Sequence, residues 1–459
     1  MSNPRLLLLP GLFLLLSQVV HAQVLLDPTQ APPSAFEREI AAIESVAELS
    51  ARSEELGKAG RYADQAVVLR RMVLLQPQVG RHRYELAAAF ARQGDRRSAY
   101  DILLRLHGQG YAFDIGADDR FAKVADTRVW EYLVANYQGN RQPFGSGSVS
   151  FELPASDRLV ESLAWDARHQ RWLFGSLRDG GIYTRDADGA LVPFVESSAD
   201  NGLWSVLDLK VDAGRGRLWV ASAAMPFFEG LRREQLGLTG LFLFDLDSGK
   251  LQKRWLIPPG ERLQALTALA LGRQGEVYAL DGLTQTVYRA DEEGMRPVFG
   301  SPKLAALRAL VVSEDGNRLY LADYDAGITV VDLARSKAFD LRIPQNLTLD
   351  GIESLHMWDG HLVLVQSGTD PAMRVMRLHL SADGLEVTRA QPVDASQPAM
   401  TQPVSGALHG PNLYFIANSQ KRLYGDDGRL REGVRPEPVR VFRSDLSVSL
   451  ELETAPAVD

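Results

Sequence analysis

Two sets of polar side chains recur at regular intervals after residue 158. One set stands where short apolar segments begin: Glu161, Asp208 or its neighbours, Thr267, Arg308, Glu353 and Ser405. The other closes six matching segments: Ser176, Ser222, Asp281, Asp323, Gln366 and Asn418. Acids, amides, hydroxyls and one guanidinium gathered in one funnel are the equipment of a small-molecule site. The second set also has a plainer reading, because Asp and Asn after a strand cap turns and stitch neighbouring segments together. The first set is harder to explain that way, since charges drawn close together in a dry place need partners or a ligand. The candidate channel residues are therefore Glu161, Arg308, Glu353, Thr267, Asp281, Asp323, Gln366 and Asn418.

Other catalytic signatures are missing. The chain has no cysteine, which removes thiolate nucleophiles, thiolate metal sites and redox dithiols. Its eight histidines show no metal-binding spacing; His356, His361, His379 and His409 read as packed or solvated. No G-x-S-x-G elbow occurs. The net charge of −8 becomes −9 once residues 1–22, with one base and no acid, are set aside. Such a surface argues against nucleic acid as a partner.

The elements that position these residues repeat as well. The segments Trp172–Ser176, Leu218–Ser222, Val277–Asp281, Leu319–Asp323, Leu362–Gln366 and Leu413–Asn418 each pair an apolar run with one small or polar end. Each follows a shorter apolar strand and a polar turn. Strand repeats of roughly 40–50 residues indicate a β-propeller. Six blades are expected, over 158–196, 203–257, 263–300, 304–344, 349–394 and 403–447, with Val149–Leu153 free to close the ring against the last. Innermost strands and the loops after second strands then meet at one mouth of the channel. Met225–Gly240 is an insertion in blade two, and its apolar Met225-Pro-Phe-Phe228 reads as a lid, a docking patch or a self-packed loop.

Before the ring the period is helical. Gly60-Arg-Tyr62 and Gly94-Asp-Arg96 lie 34 residues apart, and Pro77 follows the first repeat. That is the tetratricopeptide period, with flanking helices expected over about 36–50 and 118–136. The fold class is thus multidomain: a short all-α tetratricopeptide-like domain over 36–138, a Gly/Ser-rich linker over 139–148, and an all-β six-bladed propeller over 149–459. Residues 1–22 read as a secretory signal, with Arg5, the apolar run Leu6–Leu16, and Val20-His21-Ala22 before the cleavage point; 23–35 read as a flexible N-terminal segment. A periplasmic or secreted location follows, and no later segment is long and apolar enough to span a bilayer.

The blades resemble those of the SMP-30/gluconolactonase/LRE-like propellers. The resemblance rests on Glu161-Ser-Leu-Ala-Trp165, Gly214–Ala221, Leu241–Gly249, Ser313–Asp323, Ala326–Asp332 and Tyr414–Gln420. It implies one divalent cation, Ca or Zn, in the channel of a lactone or ester hydrolase. By position Glu161 would be one ligand, Arg308 stands where the family shows Asn, and Glu353, with Asp350 nearby, stands where it shows Asp. Thr267 marks a substrate-side position. Arginine has no lone pair to donate, so the cation set Glu161, Glu353 and Asp350 departs from the family's. Three readings stand. One is an exported binding or scaffold protein, with no cofactor, a peptide partner on the helical groove and a small ligand in the channel. The second is the metal-dependent hydrolase. The third is a metal-free enzyme or sensor descended from that lineage. N-terminal sequencing of exported protein is expected to begin at Gln23; any other start, or retention in the cytoplasm, refutes the signal assignment.

Overall fold

A computed structural model describes residues 33–301, 303–369 and 372–448. Residues 1–22, read above as a secretory signal, lie outside them, as does most of 23–35. Six four-stranded antiparallel sheets form the propeller. Their strands lie over 160–195, 205–257, 266–300, 307–340, 352–395 and 406–445. In the sixth sheet the outermost strand is Ser148–Leu153, paired antiparallel with Val439–Asp445 through Leu153↔Val439 and Phe151↔Val441. Leu153 is fully buried and packs with Val160, Phe174 and Val441, so this strand joins blade six to blade one. The closure leaves the ring without a free edge between first and last blades.

The helical part holds α1 (Ala35–Ala41), α2 (Val46–Lys58), α3 (Tyr62–Leu75), α4 (Gly80–Gln93), α5 (Arg96–Gly108) and α6 (Arg128–Asn140), with a 3-10 turn at Asp119–Val124. Helices α2 and α4 begin at Val46 and Gly80, and α3 and α5 at Tyr62 and Arg96, 34 residues apart in each case. The expected first flanking helix is split, because Ser45 caps a new helix through the Glu48 N–H. The expected last one is also divided: Thr127 caps α6 through the Trp130 N–H. Leu49, Leu56, Leu69, Phe90, Leu103 and Leu106 form the shared core. The 139–148 linker is no free tether. Phe144 and Ala395 exchange backbone hydrogen bonds of 2.9 and 3.0 Å, and the Gly147 N–H donates to Asp394 Oδ1 at 2.7 Å.

The helices dock on the mouth of blades four and five through two complementary helix ends. At the N-terminus of α4 the Gly80 N–H donates to Asp350 Oδ2 at 3.2 Å, joined by the Tyr111 hydroxyl at 2.9 Å. At the C-terminus of α5 the Gln109 carbonyl accepts from Arg374 Nη1 at 2.8 Å. The positive helix end thus meets a carboxylate and the negative end a guanidinium, both favourable to the helix dipoles. Gly80 is required here, since a Cβ would stand 2.0 Å from the Tyr111 ring. Arg374 also donates to Gln366 Oε1 and the Thr348 carbonyl.

Burial pushes the Asp350 carboxyl up to about 6 from 3.8, despite the Gly80 and Tyr111 donors. A raised carboxyl stabilises the docked state fully below about 3.8, and that contribution is lost as pH rises through about 6. Two units correspond to about 3 kcal/mol. Denaturant unfolding of wild type and Asp350→Asn between pH 4 and 7 is expected to show wild type losing stability relative to the variant by up to that amount. A pH-independent difference refutes this role for Asp350.

Candidate functional site

Every blade aims one inner-strand side chain into the channel by the same device. In blade one Val160 opposes Ser176 and Ser162 opposes Gly175, leaving Glu161 unpaired in a β-bulge. The same register step leaves out Leu207, Thr267, Arg308 and Glu353 in blades two to five. In blade six both Val404 and Ser405 bond to Ile416, so Ser405 takes the equivalent place. A bulge re-aims the extra residue out of the pleat. These six side chains line one cavity of about 340 Å³ at the axis.

The carboxylates in it have protein partners. Glu161 is 4% exposed; Ser419 Oγ donates to its Oε1 at 2.7 Å, and Lys421 Nζ forms an ion pair 3.1 Å from Oε2 without a well-aligned hydrogen bond. Asp208 lies deeper, held by Lys210 Nζ at 2.9 Å from each oxygen and by the Leu209 and Leu269 N–H groups. Glu353 accepts from the Ser367 hydroxyl at 2.9 Å. Burial raises its pKa, and the nearby Arg308 and Lys421 cations only partly offset this. Arg308 is exposed to the channel and lies over the Tyr324 ring, 5.5 Å from its centroid. On the floor, His356 Nε2 is 3.3 Å from Ser354 Oγ. Burial first, and then Lys210, push this imidazole down to about 3. An imidazole so depressed is a weak base for the neighbouring hydroxyl.

Two loops roof the cavity. Met225 and Phe227 from the blade-two insertion line it, and Phe227 meets Tyr424 of the blade-six insertion edge-on at 6.2 Å. Arg178 clasps the loops together. It donates to the Gly428 carbonyl at 2.8 Å and to Asp157 at 2.9 Å, pairs with Glu229, and lies 5.5 Å over Tyr424. Gly428 admits the contact, because a Cβ there would stand 1.9 Å from the Pro226 carbonyl oxygen.

Of the sequence candidates, Glu161, Thr267, Arg308 and Glu353 line the cavity. Asp281, Asp323, Gln366 and Asn418 do not. Asp281 accepts from the Ala265, Leu283 and Thr284 N–H groups. Asp323 accepts from those of Ala305, Ala306, Asp325 and Ala326. Gln366 binds the Thr348 and Asp350 carbonyls, and Asn418 bridges Pro438 and Arg440. Most of their hydrogen bonds go to backbone groups that turn the chain, with Gln366 Oε1 accepting from Arg374. Asp350 is corrected too: its carboxylate faces the helices. Among the described residues no group of three or more His, Asp or Glu side chains could hold a metal ion. With Asp350 engaged at the seam, Lys421 on Glu161 and Arg308 in the ring, the residues do not fit a divalent cation. Lys421, Ser419 and Ser367 were missed in the sequence. The one available signal was that Ser419 and Lys421 closely follow the second-set residue Asn418.

No family model matches the chain, and no curated protein does. Among solved structures, the calcium-binding protein regucalcin from Agrobacterium tumefaciens is similar over 65% of this chain and 93% of its own, at 17% identity and a TM-score of 0.45. A gluconolactonase from Xanthomonas campestris is similar over 65% and 98%, at 14% identity and 0.42. The PQQ-bound aldose sugar dehydrogenase from Streptomyces coelicolor is similar over 66% and 100%, at 14% identity and 0.44. At such distances the activities in those names stay with those proteins.

Removing Lys421 leaves a buried carboxylate with one hydroxyl donor. Lys421→Met is expected to cost about 1–3 kcal/mol in denaturant unfolding, and Glu161→Gln in that background to restore most of it. A Lys421→Met protein as stable as wild type refutes the pairing.

Proposed function

We propose that the protein is an exported, non-catalytic binding protein whose roofed channel takes one small organic ligand. The observation that carries this reading is the ring of six bulged side chains beneath the clasped loops. It supplies a few convergent polar groups in an otherwise apolar cavity, near the small end of the size range of ligand pockets. Of the acids that a hydrolytic cation would need, Asp350 is engaged at the helical seam and Glu161 is paired with Lys421, and His356 beside Ser354 is a weak base. The helical module acts as a fixed wall on the mouth of blades four and five. A peptide partner on its groove between α2, α3 and α4 remains part of the proposal; that groove, of about 480 Å³, includes Gln65, Leu69, Met72 and Arg81.

Calorimetric titration of Ca²⁺ and Zn²⁺ into the purified protein tests the choice against the metal-dependent lactone or ester hydrolase. No one-to-one site is expected. Tight one-to-one binding that Glu161→Gln abolishes overturns the binding-protein reading and puts the hydrolase first.

A further inference from the structure

We propose that the channel ligand is a small organic carboxylate with an apolar body, gripped by Arg308. This rests on the channel being a binding site. Lys421 pairs with Glu161 at 3.1 Å, and Lys210 pairs with Asp208 at 2.9 Å. Arg308 is different. Among the described residues no carboxylate comes within ion-pair distance of it, and its contact is the Tyr324 ring. A guanidinium lying over an aromatic ring keeps its edge of N–H donors available, and that fork matches a carboxylate with two parallel hydrogen bonds.

The neighbours of Arg308 suit the same ligand. On blade three Thr267 lines the cavity beside Arg308. On blade five the Glu353 carboxyl, raised by burial, has Ser367 as its donor. Apolar side chains supply much of the remaining lining: Leu177, Leu207, Met225, Phe227 and Leu283. An ammonium ligand would find Glu161 already paired with Lys421 and would meet Arg308 head-on. A phosphate would bring a second negative charge close to Glu161 and Glu353 with one guanidinium to hold it. A monocarboxylate brings a single charge and the flat two-oxygen edge that Arg308, unlike Lys421 and Lys210, has no protein carboxylate to supply.

Three probes on one skeleton separate the outcomes: phenylacetate, phenethyl alcohol and phenethylamine, each titrated calorimetrically at pH 7. Phenylacetate is expected to bind at least about ten-fold more tightly than the other two, the worth of one charge-assisted contact. Arg308→Gln, checked for folding by its melting transition, is expected to reduce phenylacetate to the level of the alcohol while leaving the alcohol unchanged. If the alcohol or the amine binds as tightly as phenylacetate, the carboxylate proposal falls and the channel remains a binding site. If phenylacetate binds Arg308→Gln as it binds wild type, the assignment to Arg308 is wrong. If none of the three binds, both the carboxylate proposal and the channel reading fall.

Discussion

The architecture depends on one antiparallel pairing, that of Ser148–Leu153 with Val439–Asp445. Each blade buries its faces against its neighbours, so the ring acquires a complete core only when the first and last blades meet. The pairing does so with a strand that comes from before blade one. It also fixes where the helices can lie. Helix α6 ends at Asn140, and the pinned stretch between Asn140 and Ser148 leaves little freedom. The seam then selects the docked orientation through Asp350 and Arg374, which meet helix ends of opposite polarity. Closure and docking are therefore linked by a few residues of chain.

That linkage reaches the cavity. Glu353 bonds to Ser367, whose hydroxyl is 3.2 Å from that of Tyr324; Tyr324 in turn carries Arg308 on its ring and accepts the Gly351 N–H, next to Asp350. The polar wall of the channel and the helical seam share one short stretch of backbone. The opposite wall is built differently, from two insertions held by the single guanidinium of Arg178 and by aromatic contact. One side of the mouth is rigid by construction, and the other hangs on a clasp that is partly open to water.

How much of this was legible in the sequence follows from what repeats. The six-blade ring, its closing strand and the inner-strand positions of Glu161, Thr267, Arg308 and Glu353 could be read because the strand period recurs and each blade supplies a check on the others. The roles of Asp281 and Asp323 could not be decided, since an aspartate that caps a turn and one that faces a ligand occupy the same place after a strand. Lys421 was hidden in an insertion, where no register carries over from other blades. The seam was invisible for another reason: Asp350 is 270 residues from Gly80 and 239 from Tyr111, and nothing local in any of the three marks them as partners.

The recurrence of the bulge has a consequence for how such a molecule can change. A bulged residue stands outside the strand-to-strand pairing, so its side chain contributes little to holding its own sheet together. Leu207, Thr267, Arg308 and Ser405 can each be exchanged while the surrounding ladder keeps its register. Six blades then offer a set of nearly independent positions around one axis, and the chemistry of the cavity can be rewritten one blade at a time on an unaltered frame.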